Sequence, residues 1–138
     1  MGVLVMAALM VFVLGLGLAA ASAHADSQDE RRVRTGARVF RTLLLADVAL
    51  ERKAASDGTL DIAIYADGAG IDELTPLIQP AGNTRAPQIA LRRVERLGED
   101  TPPPIGLFLA TPLAGAELDR VIAWSIRHGV ILYSPFEG

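Results

Sequence analysis

The sequence predicts an α/β protein in which helices cover a mostly parallel β-sheet. Three short apolar segments, residues 60–66, 105–110 and 130–133, predict strands, and helical patterns separate them. The segments 105–110 and 130–133 are apolar throughout, which is typical of strands that are covered on both faces. Because such strands alternate with helices, the pattern favours a layered α/β fold around a mostly parallel sheet.

An apolar segment at the start of the chain predicts export. Residues 3–21 are apolar, and the following Ala23-His24-Ala25 fits a cleavage site, so we assign residues 1–25 to a signal peptide. No Lys or Arg precedes the apolar run, and the run is long enough to span a bilayer. Because small residues crowd the end of the apolar run, we expect cleavage and a periplasmic protein. The missing positive charge and the length of the run leave one alternative, an inner-membrane anchor formed by residues 3–21.

Composition limits the classes of function. The residues after the apolar segment carry every Lys, Arg, Asp and Glu, and their net charge of −3 gives no reason to expect nucleic acid as a partner. The absence of cysteine excludes disulfides and thiol chemistry. About 110 residues can bury one modest core, so a single domain is expected.

A leading amphipathic helix is predicted at the start of this domain. Residues 26–37 are polar, and we expect them to form a flexible segment. The α/β domain then extends over residues 38–138, and the turn signal Asp57-Gly58 follows its first helix. The apolar stripe of that helix comprises Phe40, Leu43, Leu44 and Val48.

The middle of the chain is ambiguous. Residues 71–79 predict a short helix that Pro76 must kink or divide. Residues 89–97 match both helical spacing and strand alternation, and we favour an edge strand. A parallel crossover usually takes a dozen or more residues, and the linker 98–104 is shorter. We therefore expect residues 89–97 to be helical or to run antiparallel at the sheet edge.

The last predicted helix occupies residues 114–129. Gly129 suits the position just beyond a helix end, and His128 suits the last turn. The predicted buried face comprises Leu118, Val121, Ile122 and Ser125.

Four residues at the carboxyl ends of predicted strands are candidates for ligand binding, because open α/β sheets bind ligands there. The loop 67–70 has two glycines, but the third glycine of the dinucleotide fingerprint is missing, so a tight turn explains it better. A phospho-acceptor role for Asp67 is rejected because the only lysine, Lys53, lies on the first predicted helix. The candidate residues are Asp67, Gly68, Thr111 and Ser134.

Catalytic patterns are not found in the sequence. A Ser-His-Asp arrangement would need His128 as the base and Ser125 or Ser134 as the nucleophile, but there is no G-x-S-x-G elbow. No spacing of His, Cys or acidic residues indicates a metal site. We therefore expect a protein that is not an enzyme and that holds no cofactor and no metal.

Three stretches of the sequence have patterns that are found in a known family: "RVFRTLLLADVALERK", the following "LDIAIYAD", and "IGLFLATPLAGAELDRVIAWSIRHGVILYSPFEG". Together they resemble the YfiR-like family of small bacterial periplasmic proteins over roughly residues 38–138. The chain lacks the Trp-Pro pair that often follows the first helix in that family, and the cysteines of some relatives. The resemblance implies an exported, non-enzymatic regulator of a membrane signalling protein, such as a diguanylate cyclase.

The alternative function is a periplasmic small-ligand-binding domain. A partner-binding domain should expose an apolar patch, whereas a ligand-binding domain should show a concave pocket with converging polar groups. These two features therefore distinguish the two functions.

The resemblance also implies that the domain continues. Family members extend beyond the strand that corresponds to residues 130–133, and Pro135 and Gly138 are turn residues. We therefore expect further strands downstream, with residues 130–133 in the interior of the complete sheet. Without those strands the apolar edge would invite association, so a homodimer is also considered.

Overall fold

The computed structural model describes residues 27–47, 50–66, 71–79 and 87–136. Contacts divide the chain into the units Met1–Arg32 and Val33–Gly138. Of the first unit only residues 27–32 are described, and they are helical. The second unit contains the β-sheet. Across the described ranges, no helix has the length and hydropathy of a membrane span. The predicted signal peptide lies outside them.

One four-stranded sheet organises the described chain. All its strands are parallel, and their order is β2-β1-β3-β4. This confirms the predicted α/β layered fold. Residues 27–46 are helical and are named α1. The following elements are α2 (Leu50–Lys53), β1 (Leu60–Tyr65), α3 (Ile71–Ile78), β2 (Ile89–Val94), β3 (Gly106–Leu109), α4 (Gly115–His128) and β4 (Ile131–Tyr133).

Helices α1 and α3 cover one face of the sheet. Phe40 and Leu44 of α1 and Ile78 of α3 belong to one core cluster with Ile62 and Phe108 of the sheet. All five residues are fully buried. The apolar stripe predicted from the sequence is therefore the packing face of α1 at Phe40 and Leu44.

Helix α4 covers the opposite face. Val121 and Trp124 of α4 form a second core cluster with Leu107 and Leu109 of β3. Phe108 lies between these two leucines in the sequence of β3. Because successive strand residues point to opposite faces, its side chain packs on the α1 side of the sheet. Strand β3 is buried on both faces, as its continuous apolar sequence predicts.

Helix α1 begins upstream of the predicted boundary. Residues 27–37, which were expected to form a flexible polar segment, are helical. The reason is that the apolar spacing extends upstream: Ala37 is fully buried, and Val33 packs against the core. Leu43 of the predicted stripe is half exposed, and Val48 lies outside the described residues.

Strand β2 lies at one edge of the sheet, as favoured by the sequence, but it runs parallel to β1. The expectation of a helix or an antiparallel strand is therefore wrong. Residues 95–105 return the chain to β3 without a helix. Side-chain bonds hold this crossover instead, because the Arg92 guanidinium donates to the Asp61 carboxylate at 3.0 Å and also to the Pro102 carbonyl.

Pro76 lies inside α3 without dividing it. The helix spans only Ile71–Ile78, so the missing N–H of a single proline removes few backbone bonds. In addition, the Thr75 hydroxyl donates a 3.0 Å hydrogen bond to the Ile71 carbonyl. A short helix therefore continues through the proline.

The end of α4 follows its sequence signal. Gly129 has the left-handed φ of 66°, and the N–H of Val130 donates to the Ser125 carbonyl at 2.9 Å. This is the glycine-terminated helix end that the sequence predicts. Val121 and Ser125 are buried as predicted, but Ile122 is 38% exposed, so it lies beside the buried face rather than within it.

Strand β4 forms the other edge of the described sheet. It pairs with β3, and its three residues are half-buried. The interior position expected for this strand refers to a sheet with further downstream strands and stays a prediction. The Tyr133 ring stacks on Phe108 with 5.8 Å between ring centroids. Gly36 of α1 approaches Pro135 so closely that a Cβ on the glycine would lie 2.7 Å from the proline Cβ. Helix α1 thus packs against the segment that follows β4.

Candidate ligand-binding site

A cavity of about 580 Å³ lies on the α4 side of the sheet. Tyr65, the last residue of β1, lines its wall, as do residues 95–99 and one flank of α4. Ligand pockets in proteins commonly measure about 300–1,000 Å³, so the volume suits a small molecule. The lining residues include Tyr65, Arg96, Gly98, Glu117, Arg120 and Trp124.

Tyr65 brings a buried hydroxyl to the cavity wall. Only 7% of the residue is exposed, and its hydroxyl donates a 2.6 Å hydrogen bond to the carboxylate of Glu117 in the first turn of α4. Burial, followed by this bond, raises the pKa of Tyr65 to about 12, against the opposing effect of Arg120 and Arg96. The phenol therefore stays protonated at neutral pH and keeps its donor role.

Three glutamates and three arginines line the cavity, and each glutamate has a partner. Glu95 accepts a 2.7 Å bond from Arg93, which lies outside the wall. Glu99 is 3.8 Å from Arg127. Glu117 accepts the hydrogen bond from Tyr65. The six charged residues are Glu95, Glu99, Glu117, Arg96, Arg120 and Arg127.

Arg96 and Arg120 are the two charged lining residues that remain. Neither forms an ion pair within the described part of the chain. Both guanidinium groups are close enough to the Tyr65 hydroxyl to lower its pKa. Because Glu117 is the one lining glutamate outside an ion pair in the described chain, these two arginines give the cavity a small excess of positive charge.

Trp124 holds the two walls of the cavity together. Its indole N–H donates a 3.2 Å hydrogen bond to the Gly98 carbonyl, which links α4 to the crossover after β2. On its other side the indole ring contacts the His128 ring, with 4.5 Å between centroids. His128 is the last residue of α4, and its Nδ1 lies 2.9 Å from the Trp124 carbonyl oxygen. The histidine therefore completes the helix end.

Of the four residues predicted as ligand-binding, the two within the described residues do not line this cavity. Asp67 and Gly68 lie outside the described residues. Thr111 and Ser134 follow the carboxyl ends of the neighbouring strands β3 and β4, but neither lines the cavity. The Ser134 hydroxyl oxygen accepts a 3.2 Å hydrogen bond from the N–H of Phe136, so it stabilises its own turn.

The serines considered as nucleophiles bond to their own backbone. Ser125 is buried and donates to the Val121 carbonyl at 2.9 Å. Within the described ranges neither Ser125 nor Ser134 hydrogen-bonds to His128. In the same ranges no group of three His, Cys, Asp or Glu side chains is placed to hold a metal ion.

Sequence reasoning misses the residues of the cavity because they come from distant segments. Tyr65 and Glu117 are 52 positions apart, and only the sheet topology brings them together. One signal was present: a tyrosine at the end of a buried strand needs a partner for its hydroxyl. That signal points to Tyr65 but not to Arg96 or Arg120.

Comparison of the chain with protein-family models, with curated proteins and with solved structures gave no match. The resemblance to the YfiR-like family therefore stays a prediction. The structure itself defines an α/β domain with a parallel sheet and a polar cavity beside the carboxyl end of β1.

Proposed function

We propose that the chain is a non-enzymatic domain that binds a small ligand in the cavity between α4 and residues 95–99. The observation that carries the proposal is the convergence of the Tyr65 hydroxyl with Arg96 and Arg120, which form no ion pair with the described residues, on a cavity of ligand size. Its position supports the same function. Open α/β sheets bind ligands at carboxyl strand ends where the strand order reverses, and β1 lies beside that reversal.

The chemistry of the wall suits binding better than catalysis. General acid–base catalysis works best when the pKa of the group lies near the working pH. The pKa of Tyr65 is about 12, and its proton is directed at Glu117. The same groups are well placed to orient a ligand by hydrogen bonds.

Filling the cavity tests this function. Ala123 lines the cavity and is exposed, so Ala123→Phe should block the site without disturbing the core. Ala46→Phe, at an exposed position of α1, is the matched control. Melting curves followed by circular dichroism are recorded with a panel of charged and neutral metabolites. A ligand at a hundred times its Kd should stabilise the native and control proteins by about 2.7 kcal/mol, and Ala123→Phe should lose this effect.

The proposal fails if no compound raises the melting temperature of the native protein. It also fails if Ala123→Phe responds as strongly as Ala46→Phe, because the ligand would then bind elsewhere.

A second candidate is regulation of a membrane signalling partner, which the family resemblance implies. Ile126 is 76% exposed and Ile122 is 38% exposed, one helical turn apart on α4. A spacing of about 100° per residue puts both on the flank of α4 away from Arg120. Strand β4 follows α4 in the chain, and its outer edge has no partner strand in the described residues. Exposed apolar side chains and an open strand edge both favour binding of another chain.

Crosslinking from this surface tests the second candidate. A photoreactive residue in place of Ile126, in the cells that make the protein, should crosslink to a membrane signalling protein. The same residue in place of Leu43, which is 50% exposed on α1, is the control. A crosslink to a second copy of the chain would assign the surface to a homodimer. Equal crosslinking from both positions would count against the surface.

We also propose that the protein acts in the periplasm after cleavage at Ala25. The apolar segment and the small residues that follow it support this proposal. N-terminal sequencing of protein from a periplasmic fraction should begin at Asp26. An intact Met1 in the membrane fraction would instead support an anchor formed by residues 3–21.

A further inference from the structure

Resting on the proposed ligand-binding function, we propose that the ligand is a small organic anion. Its carboxylate or phosphate oxygens pair with the guanidinium groups of Arg96 and Arg120. The remainder of the molecule lies against Tyr65 and Trp124.

The charge balance of the wall leads to this ligand class. Glu95 and Glu99 lie in ion pairs, and Glu117 accepts a hydrogen bond from the neutral phenol of Tyr65. Arg96 and Arg120 have no ion-pair partner in the described chain, so two positive charges stand against the one carboxylate of Glu117. A guanidinium group presents a planar fork of N–H donors that matches carboxylate and phosphate oxygens. Arg96 follows β2 and Arg120 lies on α4, so the ligand is held between two separate elements.

Glu117 determines which way the ligand lies. Its carboxylate repels an anion, so the negative group belongs near Arg96 and Arg120 rather than beside Glu117. The Tyr65 hydroxyl donates its proton to Glu117, which leaves the phenol oxygen free to accept a bond from a ligand donor. The uncharged end of the ligand therefore belongs near Tyr65.

The size of the cavity suits a ligand larger than an inorganic ion. Its volume of about 580 Å³ falls within the range of about 300–1,000 Å³ that is typical of small-molecule pockets. The wall also includes Val121, Ala123 and the indole of Trp124, which provide apolar contacts. These contacts suit an organic ligand.

Trp124 is the only tryptophan of the chain and lines the cavity, so its fluorescence reports on occupancy. The protein is titrated with citrate, succinate, glucose 6-phosphate and inorganic phosphate. Succinamide and glucose are the neutral counterparts. Calorimetric titration repeats each measurement, because heat of binding does not depend on the environment of the indole. The carboxylate and phosphate series show which anionic group the site prefers.

Substitutions at three arginines test whether Arg96 and Arg120 bind the anion. Arg96→Gln combined with Arg120→Gln should weaken anion binding by at least about tenfold, since each charge-assisted bond is lost. Arg38→Gln removes an exposed arginine of α1 that makes no ion pair in the described chain, and it should leave binding unchanged. Arg120→Lys keeps the charge but loses the fork, so its affinity should be intermediate. Circular dichroism confirms that each variant is folded.

Saturable binding of an organic anion, lost in the double variant and kept in Arg38→Gln, supports the inference. If succinamide or glucose binds saturably and none of the anions binds, the ligand is not an anion and the inference is overturned. The proposed ligand-binding function would still stand. Equal weakening by Arg38→Gln, or binding of inorganic phosphate as strong as that of every organic anion, also overturns the inference. If no compound binds by either method, the inference and the ligand-binding function fail together.

Discussion

The hydroxyl of Tyr65 donates a 2.6 Å hydrogen bond to the carboxylate of Glu117. This bond joins the end of β1 to the first turn of α4, across the wall of the cavity. It therefore contributes to the packing of α4 on the sheet and to the shape of the candidate site.

Removing this hydroxyl should destabilise the fold. Tyr65→Phe leaves the ring in place and deletes the bond, so the free energy of unfolding should fall by about 1–2 kcal/mol. Urea denaturation measures the change. Tyr133→Phe is the control, because the Tyr133 hydroxyl makes no hydrogen bond within the described residues, and it should shift stability by less than about 0.5 kcal/mol. Equal stability of Tyr65→Phe and the native protein would contradict the role given to the bond.

Alkaline pH should weaken the fold through the same residue. An unfolded tyrosine has a pKa of about 10, whereas the pKa of folded Tyr65 is about 12. The unfolded state therefore loses its proton first, so the stabilising contribution is complete below pH about 10 and is lost as pH rises through about 12. Denaturation across this range should show the loss in the native protein and less of it in Tyr65→Phe. Identical pH profiles would refute the account.

The causes of the raised pKa can be separated by a second substitution. Tyr133→Phe leaves Tyr65 as the only tyrosine, so phenolate absorbance then reports on Tyr65 alone. Adding Glu117→Gln removes the negative charge and should lower the pKa of Tyr65. The decrease should be incomplete, because burial is the larger cause. An unchanged pKa would show that Glu117 has no influence on the phenol.

Gly106 is expected to be essential for the packing of α1 on β3. A Cβ there would lie 2.8 Å from Phe40 Cζ and 2.9 Å from Leu44 Cδ2. Gly106→Ala should therefore cost about 1–3 kcal/mol of stability, because a close-packed core has no room for an added methyl group. A Cβ at Gly115 would have no neighbour within 4 Å among the described residues beyond its own helix backbone, so Gly115→Ala should be neutral or stabilising. Thermal melts compare the two, and equal stability would show that α1 packs differently.

The packed rings of Phe40, Phe108 and Tyr133 should make a large contribution to stability on the face of the sheet that α1 covers. Phe108 lies 5.6 Å from Phe40 and 5.8 Å from Tyr133, measured between ring centroids. Phe108→Ala should reduce the free energy of unfolding by about 3–5 kcal/mol because it leaves a cavity in the core. The matched variant is Ile126→Ala, at a 76% exposed position, which should change it by less than about 0.5 kcal/mol. A loss of similar size in both variants would count against this core.

Local sequence signals predicted the elements whose causes are local. The apolar run of β3 indicates burial on both faces, and Gly129 indicates the end of α4, because each depends on a few adjacent residues. The direction of β2 could not be predicted in this way. It depends on the pairing of β2 with β1, which joins residues distant in the sequence, such as Leu60 and Ile89.

The candidate site was less predictable than the fold. The sequence predicted a ligand site at carboxyl strand ends, but Thr111 and Ser134 do not line the cavity, which depends on the crossover after β2 lying against α4. The hydrogen bond from the Trp124 indole to the Gly98 carbonyl forms that contact, and no local sequence pattern predicts it. Arg96 lies at an exposed position, and nothing in its sequence surroundings distinguishes it from other surface arginines.

The most direct test of the central claim is heteronuclear NMR of labelled protein, titrated with the tightest-binding organic anion. If the anion occupies the cavity, the amide shifts should be concentrated at Tyr65, at residues 95–99 and along α4 from Glu117 to Arg127. Shifts concentrated instead near Thr111 and Ser134, or spread along α1, would contradict the assignment of the cavity as the ligand-binding site.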